Sequence, residues 1–131
     1  MSPDVETLFV DETMDLANTI LTLARIRHLP VIDRDGKLVG ILSHRDLLRA
    51  FAELYKSGRN DADQDRVAVA EIMTDEVTTI APGAPALEAA EIIWENKIGC
   101  LPVVEDERVV GIITESDFVR TAIVRLGDPR T

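Results

Sequence analysis

The feature that most constrains this chain is that it is written twice. His28-Leu29-Pro30-Val31-Ile32-Asp33 returns as Cys100-Leu101-Pro102-Val103-Val104-Glu105. Leu38-Val39-Gly40-Ile41-Leu42-Ser43-His44-Arg45-Asp46 returns as Val109-Val110-Gly111-Ile112-Ile113-Thr114-Glu115-Ser116-Asp117. Pro30 and Pro102 lie 72 positions apart, whereas Gly40 and Gly111 lie 71 apart. The second copy has therefore lost one residue where Asp33-Arg34-Asp35-Gly36-Lys37 faces Glu105-Asp106-Glu107-Arg108. A surface hairpin loop tolerates such a deletion. Repetition at this period means one supersecondary unit used twice, each half too small to bury its sheet well alone.

Each copy reads β-α-β-β-α. A short strand comes first, Val5-Glu6-Thr7-Leu8 or Val77-Thr78-Thr79-Ile80. Helical spacing follows over about 13–25, with Met14, Ala17, Ile20, Leu21 and Ala24 on one stripe. The matching helix covers about 85–96, with Leu87, Ala90, Ile93 and Trp94 as its stripe and Pro85 in the first turn. Trp94 is expected in the core. Paired strands follow at 29–33 with 37–42 and at 101–105 with 108–113, and Asp35-Gly36 is a strong hairpin signal. A closing helix carries Leu47, Leu48, Phe51, Leu54 and Tyr55 in one copy and Phe118, Val119, Ala122, Ile123 and Leu126 in the other. The expected fold is α+β, sandwich-like, with repeat 1 over 1–56, a polar linker over 57–66, repeat 2 over 67–126 and a frayed tail over 127–131.

Composition narrows the class. The chain has 131 residues, 46% of them hydrophobic and 29% charged, which suits one globular unit rather than a disordered one. One cysteine leaves no internal disulfide and fits a reducing, cytoplasmic setting. Acids at Asp4, Glu6, Asp11, Glu12 and Asp15 argue against a secretory leader. No apolar run approaches the roughly 18 residues of a membrane span. The net charge of -10 excludes a general nucleic-acid footprint. That charge is uneven: -5 over residues 1–15, +4 over 16–60 and -9 over 61–131, so a basic island sits between acidic flanks.

The repeated Gly-x-x-Ser/Thr-x-x-Asp carries the chemistry. Ser43 stands where β passes into α, as N-cap, and Asp46 three residues on can reach back to the cap backbone; Thr114 and Asp117 repeat this. The plainer reading is a capping box with Asp in place of Glu. The functional reading uses the same geometry: free N–H groups at a helix start attract anions, and a carboxylate there can accept from two ribose hydroxyls. Gly40 and Gly111 would let a ligand approach the backbone. Enzyme readings are weak. Ser43, His44 and Asp46 lie within one helical turn and cannot align as nucleophile, base and orienter. There is no metal-ligand spacing and no glycine-rich phosphate loop.

The repeat order, the phrase Val69-Ala70-Glu71-Ile72-Met73-Thr74 before Val77 to Ile80 and Pro82, Leu101-Pro102-Val103-Val104, and Gly111 to Asp117 resemble a tandem pair of CBS domains, named after cystathionine beta-synthase. The first copy matches from Val5 to Ala52 without the Ile-Met-Thr phrase, with Ser2-Pro3-Asp4 in its place. The likeness implies two copies around a pseudo-two-fold axis with two clefts for adenosyl ligands: AMP, ADP, ATP or S-adenosylmethionine. It implies that Asp46 and Asp117 hold ribose, and that Ser43 and Thr114 lie near phosphate. Thr7, His28, Leu29 and Pro30 would line one adenine pocket, and Thr79, Cys100, Leu101 and Pro102 the other. Leu29 and Leu101 also read as core, and Cys100 as a small buried apolar group. His44 and Arg45 follow the first hydroxyl, Glu115 and Ser116 the second; with Arg25 and Arg27 nearby, the Asp46 site is expected to favour phosphate. The likeness further implies a homodimer through helices of both repeats, and a regulatory, non-catalytic, stand-alone module acting on a separate protein. The alternative is a ligand-free structural module in which the motifs only cap helices.

Overall fold

The structure, a computed structural model, describes residues 5–58 and 61–127. The chain divides into two compact units, one of residues Glu6–Val77 and one that begins at Thr78. The expected replacement phrase Ser2-Pro3-Asp4 lies outside the described residues, as does the tail beyond Gly127.

In the first unit, β1 (Leu8–Phe9), α1 (Met14–Ala24), β2 (His28–Ile32), β3 (Leu38–Ser43) and α2 (His44–Lys56) follow in order. A 3-10 helix at Asp61–Arg66, where the sequence suggests a loop, leads into the short α3 (Val69–Ile72). β1 pairs parallel with β2, and β2 antiparallel with β3. Helix α1 provides the crossover that parallel strands require. It buries Met14, Ala17 and Leu21, one face at helical spacing. Helix α2 buries Leu47, Ala50 and Leu54 against the same core, with Leu29, Val31 and Leu42 from the sheet.

The phrase Val69–Thr74 packs into this first unit. Val69 is fully buried beside the first core. Met14 N–H donates to the Val67 carbonyl at 2.8 Å, and Val69 N–H to Glu12 at 2.9 Å. Ile41 and Thr74 exchange both backbone bonds at 2.9 Å, which extends the edge of β3 by one antiparallel bridge.

The second unit contains α4 (Ala86–Asn96), β4 (Cys100–Glu105), β5 (Arg108–Thr114) and α5 (Glu115–Leu126), with β4 antiparallel to β5. Its core is Ile80, Ala89, Ile93, Leu101 and Val103. The expected α4 stripe holds at Ile93 but is off in phase at Leu87 and Trp94. Ala89 and Ile93 face the strands, whereas Leu87 and Trp94 are exposed. The reason is the repeat itself: Ala89 and Ile93 stand 72 positions after Ala17 and Leu21, and they occupy the same face. Helix α5 has no fully buried residue, although Phe118 packs half-buried against the core.

The first strand of each copy is shorter than expected, and the prolines explain it. The Pro102 carbonyl accepts from Ile80 N–H at 3.1 Å, and Val104 N–H donates to the Ile80 carbonyl at 2.8 Å. Pro102 therefore turns its backbone to the first strand but has no N–H to extend the ladder backwards. Pro30 holds that place in the first unit, where pairing begins only at Leu8. Forward of the bridge, Val10 N–H donates to Ile32 at 2.8 Å. Its counterpart 72 residues on is Pro82, which has no N–H, so the second copy keeps a single bridge at Ile80.

Candidate functional site

Each candidate motif sits where a β-strand passes directly into a helix. Ser43 ends β3 with extended backbone, and α2 begins at His44. Asp46 N–H donates to Ser43 Oγ at 3.0 Å, and Ser43 N–H donates to Asp46 Oδ2 at 2.9 Å, a complete reciprocal cap. Asp46 Oδ1 lies 3.7 Å from an Arg49 nitrogen, and the Asp46 side chain is only 11% exposed. In the second unit Thr114 N–H donates to Asp117 Oδ2 at 2.8 Å, and Asp117 Oδ1 lies 3.8 Å from Arg120. The Asp117 side chain is 22% exposed, twice as open as Asp46. In both motifs one carboxylate oxygen serves the helix and the other lies at ion-pair distance from an exposed arginine, a contact that solvent screens.

Register brings the candidates together within each unit. His28 pairs with Ser43 across β2 and β3, and Cys100 pairs with Thr114 across β4 and β5. Leu29, Pro30, Leu101 and Pro102 are buried, so their side chains serve the core. Thr7 is half-buried and Thr79 exposed. His44, Arg45, Glu115 and Ser116 are exposed on the first turns of their helices. Cys100 is buried; desolvation, and secondarily the charge of Asp117, push its thiol up to about 12. It is an apolar filler rather than a nucleophile.

Gly40 answers a different need from the one its position suggests. A Cβ there would meet Met73 Sδ and lie 3.0 Å from the Thr74 carbonyl. The chain itself fills the space beside Gly40, and the missing side chain is what lets Thr74 bridge to Ile41. Gly111 is buried.

Arg27 belongs to the site more closely than its place in the basic island shows. Its carbonyl accepts the His44 N–H at 2.7 Å, which fixes Arg27 beside the start of α2. The equivalent bond in the second unit runs from Glu115 N–H to Gly99 at 3.2 Å. The first motif is thus flanked by Arg27, His44 and Arg45, and the second by Gly99, Glu115 and Ser116. The repeat offset pairs Arg27 with Gly99 in sequence and was the signal for this contrast. Asp46 also borders a groove between α2 and α3, with Arg49, Glu53, Arg66 and Glu71 along it. Among the described residues no cluster of His, Cys, Asp and Glu could hold a metal ion, and no helix is long and apolar enough to cross a membrane.

Comparison with known proteins agrees with this doubled architecture. The profile of the CBS domain matches residues 1–53 and again 69–123. The chain belongs to the CBS domain family. It is 33% identical over 123 residues to a CBS domain-containing protein of Dictyostelium discoideum, covering 91% of this chain and 85% of that one. It is 34% identical over 118 residues to an inosine-5'-monophosphate dehydrogenase of Methanocaldococcus jannaschii, but spans only 21% of that enzyme's length. Among solved structures, a CBS domain pair in complex with 5-methylthioadenosine and S-adenosyl-L-methionine superposes with a TM-score of 0.81 at 32% identity, over 95% of this chain and 93% of that one. CBSX2 in complex with AMP superposes with a TM-score of 0.79 at 29% identity, covering 96% and 94% of the two chains. The α+β fold of paired CBS repeats is therefore that of this chain.

Proposed function

We propose that this chain is a regulatory module that binds an adenosyl ligand (AMP, ADP, ATP or S-adenosylmethionine) and passes its presence to a partner protein. The observation that carries the reading is the likeness, over nearly the whole chain, to CBS domain pairs solved with AMP and with S-adenosyl-L-methionine. In it, Asp46 and Asp117 accept ribose hydroxyls through the oxygen that the helix cap leaves available, and Ser43 and Thr114 face the phosphate. The ligand acts by favouring one of two arrangements of the module, and the partner reads that population. A reducing, cytoplasmic setting suits the buried free thiol.

The two sites differ in charge preference. Arg27, His44 and Arg45 around the Asp46 motif suit a phosphate-bearing nucleotide, whereas Gly99, Glu115 and Ser116 suit a ligand of less negative charge. Titration calorimetry with AMP tests this. Losing a hydrogen bond to a charged group costs about 1.5–3 kcal/mol, so Asp46→Ala should weaken AMP by roughly ten- to hundredfold, and Asp117→Ala by less. Equal losses would overturn the asymmetry.

The complete cap at Ser43 and Asp46 favours one rival, a ligand-free module in which the motifs only start helices. Asp46→Glu separates the two. A cap accepts Glu at this position, whereas a ribose site fitted to the shorter side chain loses affinity. Failure of the wild-type chain to bind any of the four ligands leaves the rival standing.

A further inference from the structure

Helices α2 and α5 occupy one place in the repeat, yet their residues have little in common. Set at the offset of 71, the 13 residues of α2 and their counterparts 115–127 agree at two places only, Asp46 with Asp117 and Arg49 with Arg120. The aspartates belong to the helix caps; the arginines take no part in them. Arg49 and Arg120 are 68% and 73% exposed. Each sets a guanidinium nitrogen near the oxygen that its aspartate does not give to the cap, at 3.7 and 3.8 Å. An exposed pair at this spacing adds little to a helix. Its presence in both copies, where the other residues differ, calls for a second role.

We propose that Arg49 and Arg120 read the phosphate of the ligand, through an exchange of partners at the aspartate. The inference rests on the adenosyl-binding reading and adds one specificity residue to each unit. A guanidinium at this distance competes with ribose for Oδ1. A ribose hydroxyl that donates to Oδ1 loosens the hold on the arginine, whose long stem lets it turn to a phosphate on the same ligand. A nucleoside must therefore compete with the arginine and offers it nothing in exchange. A nucleotide offers a new anion, and phosphate suits the donor fork of a guanidinium.

The surroundings of Arg49 favour this role. It lines a groove of about 540 Å³ together with Asp46, a volume within the range of small-molecule pockets, and Arg66 lines the same groove. The acids along it are engaged elsewhere. Glu71 Oε2 accepts the Ala68 N–H at 2.8 Å, and Glu53 lies 3.8 Å from Lys56. A phosphate that enters this groove beside Asp46 meets two guanidinium groups.

Titration calorimetry of the full chain with AMP and with adenosine, directly or by displacement of AMP, tests the proposal. Joining Arg49→Ala to Arg120→Ala alters both units at once, so no heat need be assigned to one of them. This variant should bind AMP roughly tenfold more weakly, as expected for one lost hydrogen bond to a charged group, and adenosine as well as the wild type does or better. If circular dichroism shows the alanine variant misfolded, Arg49→Gln joined to Arg120→Gln, which keeps most of the stem, reads the same split. AMP and adenosine weakened alike would mean that the arginines only steady the aspartates, and that result overturns the proposal. So does an unchanged affinity for AMP. A wild-type chain that binds another of the four ligands but not AMP overturns this inference and leaves the adenosyl reading in place, whereas one that binds none of the four overturns both.

Discussion

Helices α2 and α5 follow equivalent strands and start on the same motif, yet they differ in what they bury. α2 sets Leu47, Ala50 and Leu54 into a core that also receives Val69 from the segment after the linker. α5 has Phe118 where α2 has Leu47, then Thr121 and Arg125 where α2 has Ala50 and Leu54. Two of the three inward positions have become polar or charged, so α5 holds on by one half-buried aromatic and keeps its apolar side outward. A repeat can preserve a backbone and a cap while giving one copy to the core and the other to the surface.

The sharpest contrast lies at His28 and Cys100, which occupy one position of the repeat. Burial and Asp117 raise the Cys100 thiol to about 12 from 9.0. Three pKa units make the native thiolate about a thousandfold scarcer than in the unfolded chain at neutral pH. Iodoacetamide at mildly alkaline pH should therefore label Cys100 at the rate set by unfolding; labelling as fast as a small-molecule thiol would refute the burial. The sign follows for stability. The folded thiol keeps its proton where the unfolded one has lost it, so stability is full below pH 9 and falls as pH rises towards 12. Cys100→Ser should remove that alkaline decline.

Core truncation comes next. Leu47→Ala removes a fully buried side chain and should cost about 2–5 kcal/mol in urea unfolding, enough to threaten a domain of ordinary stability. Val119→Ala, in the position after Phe118 and exposed, should cost under about 0.5 kcal/mol. Similar costs would show that α5 is packed as tightly as α2, and the contrast between the repeats would fail.

Much of this was legible in the residues. Two copies in the same order set the β-α-β-β-α arrangement, and the Ser43/Asp46 and Thr114/Asp117 spacing placed both motifs at helix starts. The α4 face was misread because Leu87 and Trp94 are larger than Ala89, and size outweighed register. Aligning α4 with α1 at the repeat offset finds Ala89 beside Ile93, which the stripe already holds. The short first strands were also written in Pro30, Pro82 and Pro102, but only the direction in which each missing N–H would point decides their effect, and that needs the ladder. The packing of Val69 and Thr74 on the first unit was beyond local pattern, because it joins Met14 and Ile41 to residues far along the chain.

The lost residue leaves the smallest and most local test. In the first hairpin, Asp33 Oδ1 accepts from Asp35 N–H and Lys37 N–H, both at 2.9 Å, and Gly36 takes the positive φ of 87°. The second hairpin closes Glu105 onto Arg108 with two residues, Asp106 at φ 51° and Glu107 at φ 68°. Two central residues with positive φ make the turn that suits the twist of paired strands, and its preferred sequence is Asn-Gly. A left-handed conformation costs an ordinary L-residue roughly 1–2 kcal/mol, most of which Gly avoids. Replacing Asp106-Glu107 by Asn-Gly should therefore stabilise the chain by about 1 kcal/mol, less whatever contact Glu107 gives up, whereas Gly36→Ala should destabilise it by a similar amount. Thermal melts of the two variants read the pair directly. A Tm that falls in the Asn-Gly variant would mean that the shortened turn is held by its side chains and not endured by its backbone, and the second hairpin would then be the better adapted of the two.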